Sequence, residues 1–183
     1  MKNIDYKNSE LSVRIEMKKL FGRKEEFLYD LLKLFKQYDL DEERLDCLML
    51  LDQRRPYDED IMYSIGETCR IQNNLIEMEK WYNKVREITT EHDVRLLLRL
   101  GETLTFGSDN SKVIKKGIAY LESARQLEPK NIDVLYCLIK ACIQLEEQEY
   151  EIRAKKYCEQ YLKLDPENEE VQEHLAELIE ERS

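Results

Sequence analysis

The tract Ile65-Gly66-Glu67-Thr68-Cys69 returns 35 residues later as Leu100-Gly101-Glu102-Thr103-Leu104. A second tract, Gln126-Leu127-Glu128-Pro129-Lys130-Asn131, returns 37 residues later as Lys163-Leu164-Asp165-Pro166-Glu167-Asn168. Such a period belongs to chains written in small units that cannot bury their own apolar faces, so that successive units must stack. Laid over the whole chain, it divides residues 25–168 into four units: 25–58, 59–92, 94–131 and 132–168. Asp93 falls between the second and third. Residues 1–24 form an N-terminal extension and residues 169–183 follow the last unit.

Each unit opens with apolar residues at the spacing of one buried helix face. They are Leu28, Leu31, Leu32 and Phe35; Met62, Ile65, Gly66 and Cys69; Leu97, Leu100, Gly101 and Leu104; and Leu135, Leu138, Ile139 and Cys142. A second stripe closes each unit: Arg44, Leu48 and Leu51; Met78, Tyr82 and Val85; Gly117, Leu121 and Ala124; and Ala154, Cys158 and Tyr161. Two amphipathic helices per unit give an all-α fold. Only five Gly and three Pro occur among the 183 residues, too few for the turns of a many-stranded sandwich or barrel. Pro56, Pro129 and Pro166 all fall at the closing turn of a unit, where the next helix must start afresh. Gly66, Gly101 and Gly117 are placed where two helices approach closely, and Gly22 and Gly107 where helices end.

These positions resemble the tetratricopeptide-repeat family, whose unit of about 34 residues carries a large residue, Leu-Gly and an aromatic in its first helix. Small, aromatic and small residues follow in its second helix, and Pro stands at the closing turn. Leu97, Leu100, Gly101 and Leu104 match the first helix, with Leu in place of the aromatic, and Gly117, Leu121, Ala124 and Pro129 match the second. The other units depart from the pattern at Leu32, Arg44, Met78, Thr90 and Ile139. The last two units also carry extra residues, around Gly107-Ser108-Asp109-Asn110-Ser111 and Glu146-Glu147-Gln148-Glu149. The resemblance implies an α-solenoid of about four helix-turn-helix repeats. Glu169 to Arg182 reads as a capping helix with Val171, Leu175, Leu178 and Ile179 on one side. Ser9 is placed to N-cap a leading helix bearing Val13, Met17, Leu20 and Phe21. Ten helices are expected in all.

The resemblance further implies that the second, fifth, sixth, ninth and twelfth residues of each unit face a concave peptide-binding groove. The fifth residues are Tyr29, Tyr63, Leu98 and Tyr136. Tyr supplies broad apolar area at low rotamer cost together with a hydroxyl; ordinary packing is the competing reading of this ladder. Arg95 and Arg99 resemble half of the carboxylate clamp of co-chaperones, since guanidinium grips carboxylate bidentately. The other half is wanting, because this chain offers Tyr29, Lys33 and Ser64 at the remaining places. The simpler reading of Arg99 is an intrahelical pair with Glu102. Lys33, Lys36, Arg70 and Lys140 add positive charge to the same face, which favours an acidic or C-terminal peptide. Cys137, sixth in its unit, is expected to look into the groove, whereas Cys69, Cys142 and Cys158 read as small core hydrophobes.

A net charge of −10 and a pI near 4.9 argue against nucleic acid as a general partner, because phosphate affinity rests on clustered Lys and Arg. Acid concentrates from Gln144 onward, where a solvated helical face is the leading reading and an interaction surface for a basic partner the alternative. Five cysteines, an odd number without C-x-x-C, and no secretory signal pattern point to a reducing, cytoplasmic setting. His92 and His174 have no ligand-spaced Cys around them, so no metal and no cofactor is expected. No phosphate-cradling loop or nucleophile-base pair suggests an enzyme. The leading expectation is a non-catalytic module that binds a segment of another protein as scaffold, adaptor or co-chaperone. The alternative is an RNA binder of pentatricopeptide type, in which first-helix side chains read bases.

Overall fold

The computed structural model describes residues 25–89 and 93–180. The expected leading helix, with Ser9 and Gly22, lies outside the described residues, as do Thr90 and His92. The chain divides into two compact units, Met1–Ile88 and Thr89–Ser183. The first contains α1 (Glu25–Gln37), α2 (Asp41–Arg54), α3 (Glu59–Ile71) and α4 (Leu75–Ile88). The second contains α5 (Val94–Phe106), α6 (Ser111–Leu127), α7 (Ile132–Gln144), α8 (Gln148–Tyr161) and α9 (Glu169–Glu180). No strand occurs among the described residues. Within each unit every helix packs on its neighbours in sequence, and α5 also packs on α7.

Helix starts are written into the sequence as Asp and Asn. The side chains of Asp58, Asn74, Asp93, Asn110, Asn131 and Asn168 accept from the backbone amides of Ile61, Glu77, Arg95, Lys112, Val134 and Val171 at 2.9 to 3.3 Å. Each such cap satisfies a donor the helix itself cannot pair and stabilises by about 1 kcal/mol. The turns inside the helix pairs explain how so few glycines suffice. Asp39, Asn73 and Glu146 adopt φ of 53°, 55° and 50° between α1 and α2, α3 and α4, and α7 and α8. Tyr57 does the same at 69° beside Pro56. These left-handed places are usual for glycine or Asn, yet no glycine in the described chain has positive φ.

The glycines serve packing instead. A Cβ on Gly66 would lie 2.5 Å from the Tyr82 ring, and one on Gly117 would lie 2.8 Å from the Gly101 carbonyl oxygen and 3.0 Å from the Thr105 nitrogen. The α3–α4 and α5–α6 pairs therefore touch backbone to ring and backbone to backbone. Every residue of the expected first-helix stripes is buried except Leu32, which is half-buried. Arg44, assigned to the second stripe, is not in the core; it stands 4.0 Å from Asp41, and Cys47 takes the buried place, donating its thiol to the Leu28 carbonyl at 3.4 Å. In the second unit one apolar cluster runs from Leu97 through Leu121, Leu138 and Cys158 to Val171.

Candidate partner-binding surfaces

In the first unit, the first-helix tyrosines stand on polar and aromatic supports. Tyr63 of α3 is half-buried, its ring centroid 5.5 Å from that of Tyr82 on α4 with the planes tilted by 31°. Tyr82 is fully buried and fits there because Gly66 leaves room for its ring. Its hydroxyl donates to Glu67 Oε1, and the other Glu67 oxygen accepts from Arg70 at 3.0 Å. Burial, and then the bond to Glu67, push the Tyr82 hydroxyl far above the ordinary phenol range, so it stays a proton donor. Arg70, expected as a groove cation, is thus committed to Glu67. Tyr29 of α1 accepts from Arg55 at 3.0 Å, and Arg55 also pairs with Asp58 at 2.9 Å and Glu25 at 3.4 Å. Lys33 reaches Asp30 at 3.2 Å on an exposed face.

The same unit holds a feature that charge counting along the sequence overlooked. An open hollow of about 740 Å³ beside the α1–α2 turn is lined by Asp39, Asp41, Glu42, Glu43 and Asp46. Acid is therefore gathered here as well as beyond Gln144.

In the second unit the supports are different. Tyr136 of α7 is half-buried, and its ring lies 6.4 Å from that of Tyr161 on α8 at 52°. Its hydroxyl donates to both carboxylate oxygens of Glu170, at 2.8 and 2.9 Å, and Lys140 donates to the same carboxylate at 3.0 Å. The hydrogen bonds from Lys140 and Tyr136 hold the Glu170 carboxyl below its usual range. Leu98 is half-buried and packs on the apolar cluster. Arg99 lies 3.2 Å from Glu102, the intrahelical pair foreseen above, and Arg95 folds back on Asp93 at 3.3 Å while staying 91% exposed. Arg95 and Arg99 therefore take separate local partners.

Two expectations need correction or extension here. Cys137 does not look into a groove: it is 8% exposed and joins the apolar cluster, because α5 packs across α7. Burial pushes its thiol up to about 12, which removes the thiolate a nucleophile needs. The second feature, a half-buried network inside the unit, was not foreseen. Glu122 of α6 accepts from Tyr157 and Arg153 of α8 and from Arg125 on its own helix, the two arginines at 2.9 and 2.8 Å. Burial draws the Glu122 carboxyl upward, yet these three donors outweigh it and hold it low. Its signal was an acid at the i−3 position from Arg125. Among the described residues, no group of three His, Cys, Asp or Glu is arranged to hold a metal ion. None of the described helices is long and apolar enough to cross a membrane.

No family model matches the chain. A search of curated protein sequences also finds no match. Solved structures do match. MamA from Desulfovibrio magneticus is similar with a TM-score of 0.67 at 18% identity, over 86% of this chain and 84% of that one. PilF of Pseudomonas aeruginosa is similar with 0.60 at 19%, over 86% and 68%. YrrB, described as a TPR protein with an unusual peptide-binding site, is similar with 0.62 at 14%, over 85% and 76%. At these identities the likeness shows the fold, an all-α helical-repeat solenoid of tetratricopeptide type. Interaction with other proteins is the general use of that fold, and the fold alone does not name the partner.

Proposed function

We propose that this protein is a non-catalytic, cytoplasmic interaction module that binds an acidic segment of a partner protein on the surfaces of its first helices. In the first unit the contacts are Tyr29, Lys33, Tyr63 and Arg70. In the second they are Arg95, Leu98, Arg99, Tyr136 and Lys140. One observation carries the reading. In each unit a half-buried first-helix tyrosine leans on a buried second-helix tyrosine, Tyr63 on Tyr82 and Tyr136 on Tyr161. A ring held in this way has already lost its rotamer freedom, so docking against it carries little further entropic cost. An acidic segment fits because the Tyr136 hydroxyl and the Lys140 ammonium already converge on one carboxylate.

Binding of RNA is not favoured by the same surfaces. The chain carries a net charge of −10, whereas phosphate binding rests on clustered basic residues whose charge is not cancelled by acid. The test is capture from the native host with the full chain and with its Tyr63→Ala and Tyr136→Ala variants. Both variants are expected to keep wild-type helicity, with melting lowered by the loss of a half-buried ring, while losing a protein that the wild type retains. Equal capture by all three chains would contradict the reading.

A further inference from the structure

The Glu170 carboxylate that occupies Tyr136 and Lys140 belongs to α9, and the residues around it form a pattern. Val171, the next residue, is fully buried in the apolar cluster, and Leu175 and Leu178 pack against that cluster at helical spacing. The start of the helix is pinned by Asn168, which accepts from the Val171 amide at 3.1 Å and donates to the Tyr161 hydroxyl at 3.2 Å. The surface of α7 and α8 therefore reads a helix with an acid, then an apolar residue one, five and eight positions later. The acid fixes register through two donors, and the apolar residues supply the buried area.

The helix that now supplies this pattern is poorly matched to its place. Val171 is its only fully buried residue, and Ile179 is 47% exposed. His174 lies on the packed side, with its Nε2 atom buried, without a hydrogen-bond partner and 3.6 Å from Glu170. A buried polar atom without a partner weakens docking, and weakly docked terminal elements open first.

We propose that α9 stands in for the true ligand: the surface of α7 and α8 is a docking site for an acidic amphipathic helix of a partner protein, whose glutamate displaces Glu170 from Tyr136 and Lys140. This rests on the reading of the preceding subsection and adds the ligand's chemistry and its built-in competitor. Because α9 covers the site, a partner binds only as fast and as tightly as α9 yields.

The test uses a fluorescently labelled synthetic peptide copying residues 165–180, its Glu170→Gln version, and the full chain, with affinity read by anisotropy. The chain carrying Glu170→Gln and Val171→Ala, which loosens its own α9, is expected to bind the peptide about tenfold tighter than the wild-type chain. The Glu170→Gln peptide should lose most of that gain, and so should the double variant with Lys140→Met added. The single Glu170→Gln chain, whose core is intact, should show a smaller gain in the same direction and serves if the double variant fails to fold. Equal binding of the two peptides, or equal binding by wild-type and loosened chains, overturns the proposal. If peptide binding ignores Glu170 while capture of the native partner still depends on Tyr63 and Tyr136, this inference fails and the broader reading stands. If capture depends on neither tyrosine, the broader reading fails.

Discussion

Tyr63 and Tyr136 hold the same place in their units and have different surroundings. Both are the fifth residue of a first helix, and both lean on a second-helix tyrosine. Around Tyr63 the polar partners are internal: Tyr82 and Arg70 close on Glu67, which comes from the same helix as Tyr63. Around Tyr136 the carboxylate arrives from another helix, as Glu170 of α9. The ring thus keeps its repeat position while its support does not, since Tyr82 and Tyr161 stand at different places in their second-helix stripes, and the charge that meets the ring is set by whatever lies beside it. One surface is built around a closed polar cluster, and the other already holds a ligand-like group.

The largest effects should come from the close helix–helix contacts, one in each unit. Gly117→Ala sets a Cβ against backbone atoms of Gly101 and Thr105 at 2.8 and 3.0 Å, which cannot step aside; it should cost about 3 kcal/mol in urea unfolding. For Gly66→Ala the three nearest atoms all belong to the Tyr82 side chain. This substitution should cost about 2 kcal/mol and disturb Tyr63 while leaving the Tyr136 ring signals unmoved. A larger loss from Gly66→Ala than from Gly117→Ala would break the packing account. Next comes the hydroxyl pair. Tyr82→Phe removes a bond from a fully buried ring and should cost about 1 to 2 kcal/mol. Tyr136→Phe acts at an exposed carboxylate and should cost under about 1 kcal/mol.

Much of this was legible in advance. The stripes, the Gly66 and Gly101 approaches and the Arg99–Glu102 pair follow from helical spacing, which a sequence states directly. The Arg70–Glu67 pair has the same i, i+3 spacing and was equally legible, though Arg70 was read as a groove cation. Glu170 was not legible as a partner of Tyr136. It lies 34 residues away among acids that look like a solvated face, and no local pattern distinguishes the one that reaches Tyr136. Cys137 was misplaced for a similar reason: repeat position describes a helix within its pair, and the crossing of α5 over α7 is tertiary.

Acid titration separates two carboxylates of the second unit, Glu170 and Glu122. The Glu170 carboxyl is held below its usual value, so its contribution is fully present above the unfolded pKa and is lost as the pH falls through the lower folded value. Docking of α9 should therefore weaken as the pH falls below the ordinary carboxylate range, about pH 4, followed by the Tyr136 ring signals. Glu170→Gln should flatten that part of the profile and leave the part due to Glu122, whose carboxyl is also held low. The smallest effect concerns the turns. Glu146→Gly relieves a left-handed residue in the second unit and should stabilise by up to about 1 kcal/mol. Asn73→Gly in the first unit should change stability less, since Asn tolerates that conformation.

The central claim is that partners dock on the first-helix tyrosines, and site-specific photo-crosslinking in the native host tests it most directly. Benzoylphenylalanine in place of Tyr63 or Tyr136 is compared with the same group in place of Ile76 or Ile152, which are 80% and 54% exposed on second helices. The account predicts covalent adducts to a protein from the two tyrosine positions and none from the two isoleucine positions. Adducts from Ile76 or Ile152 alone would place the partner on the second helices and contradict it.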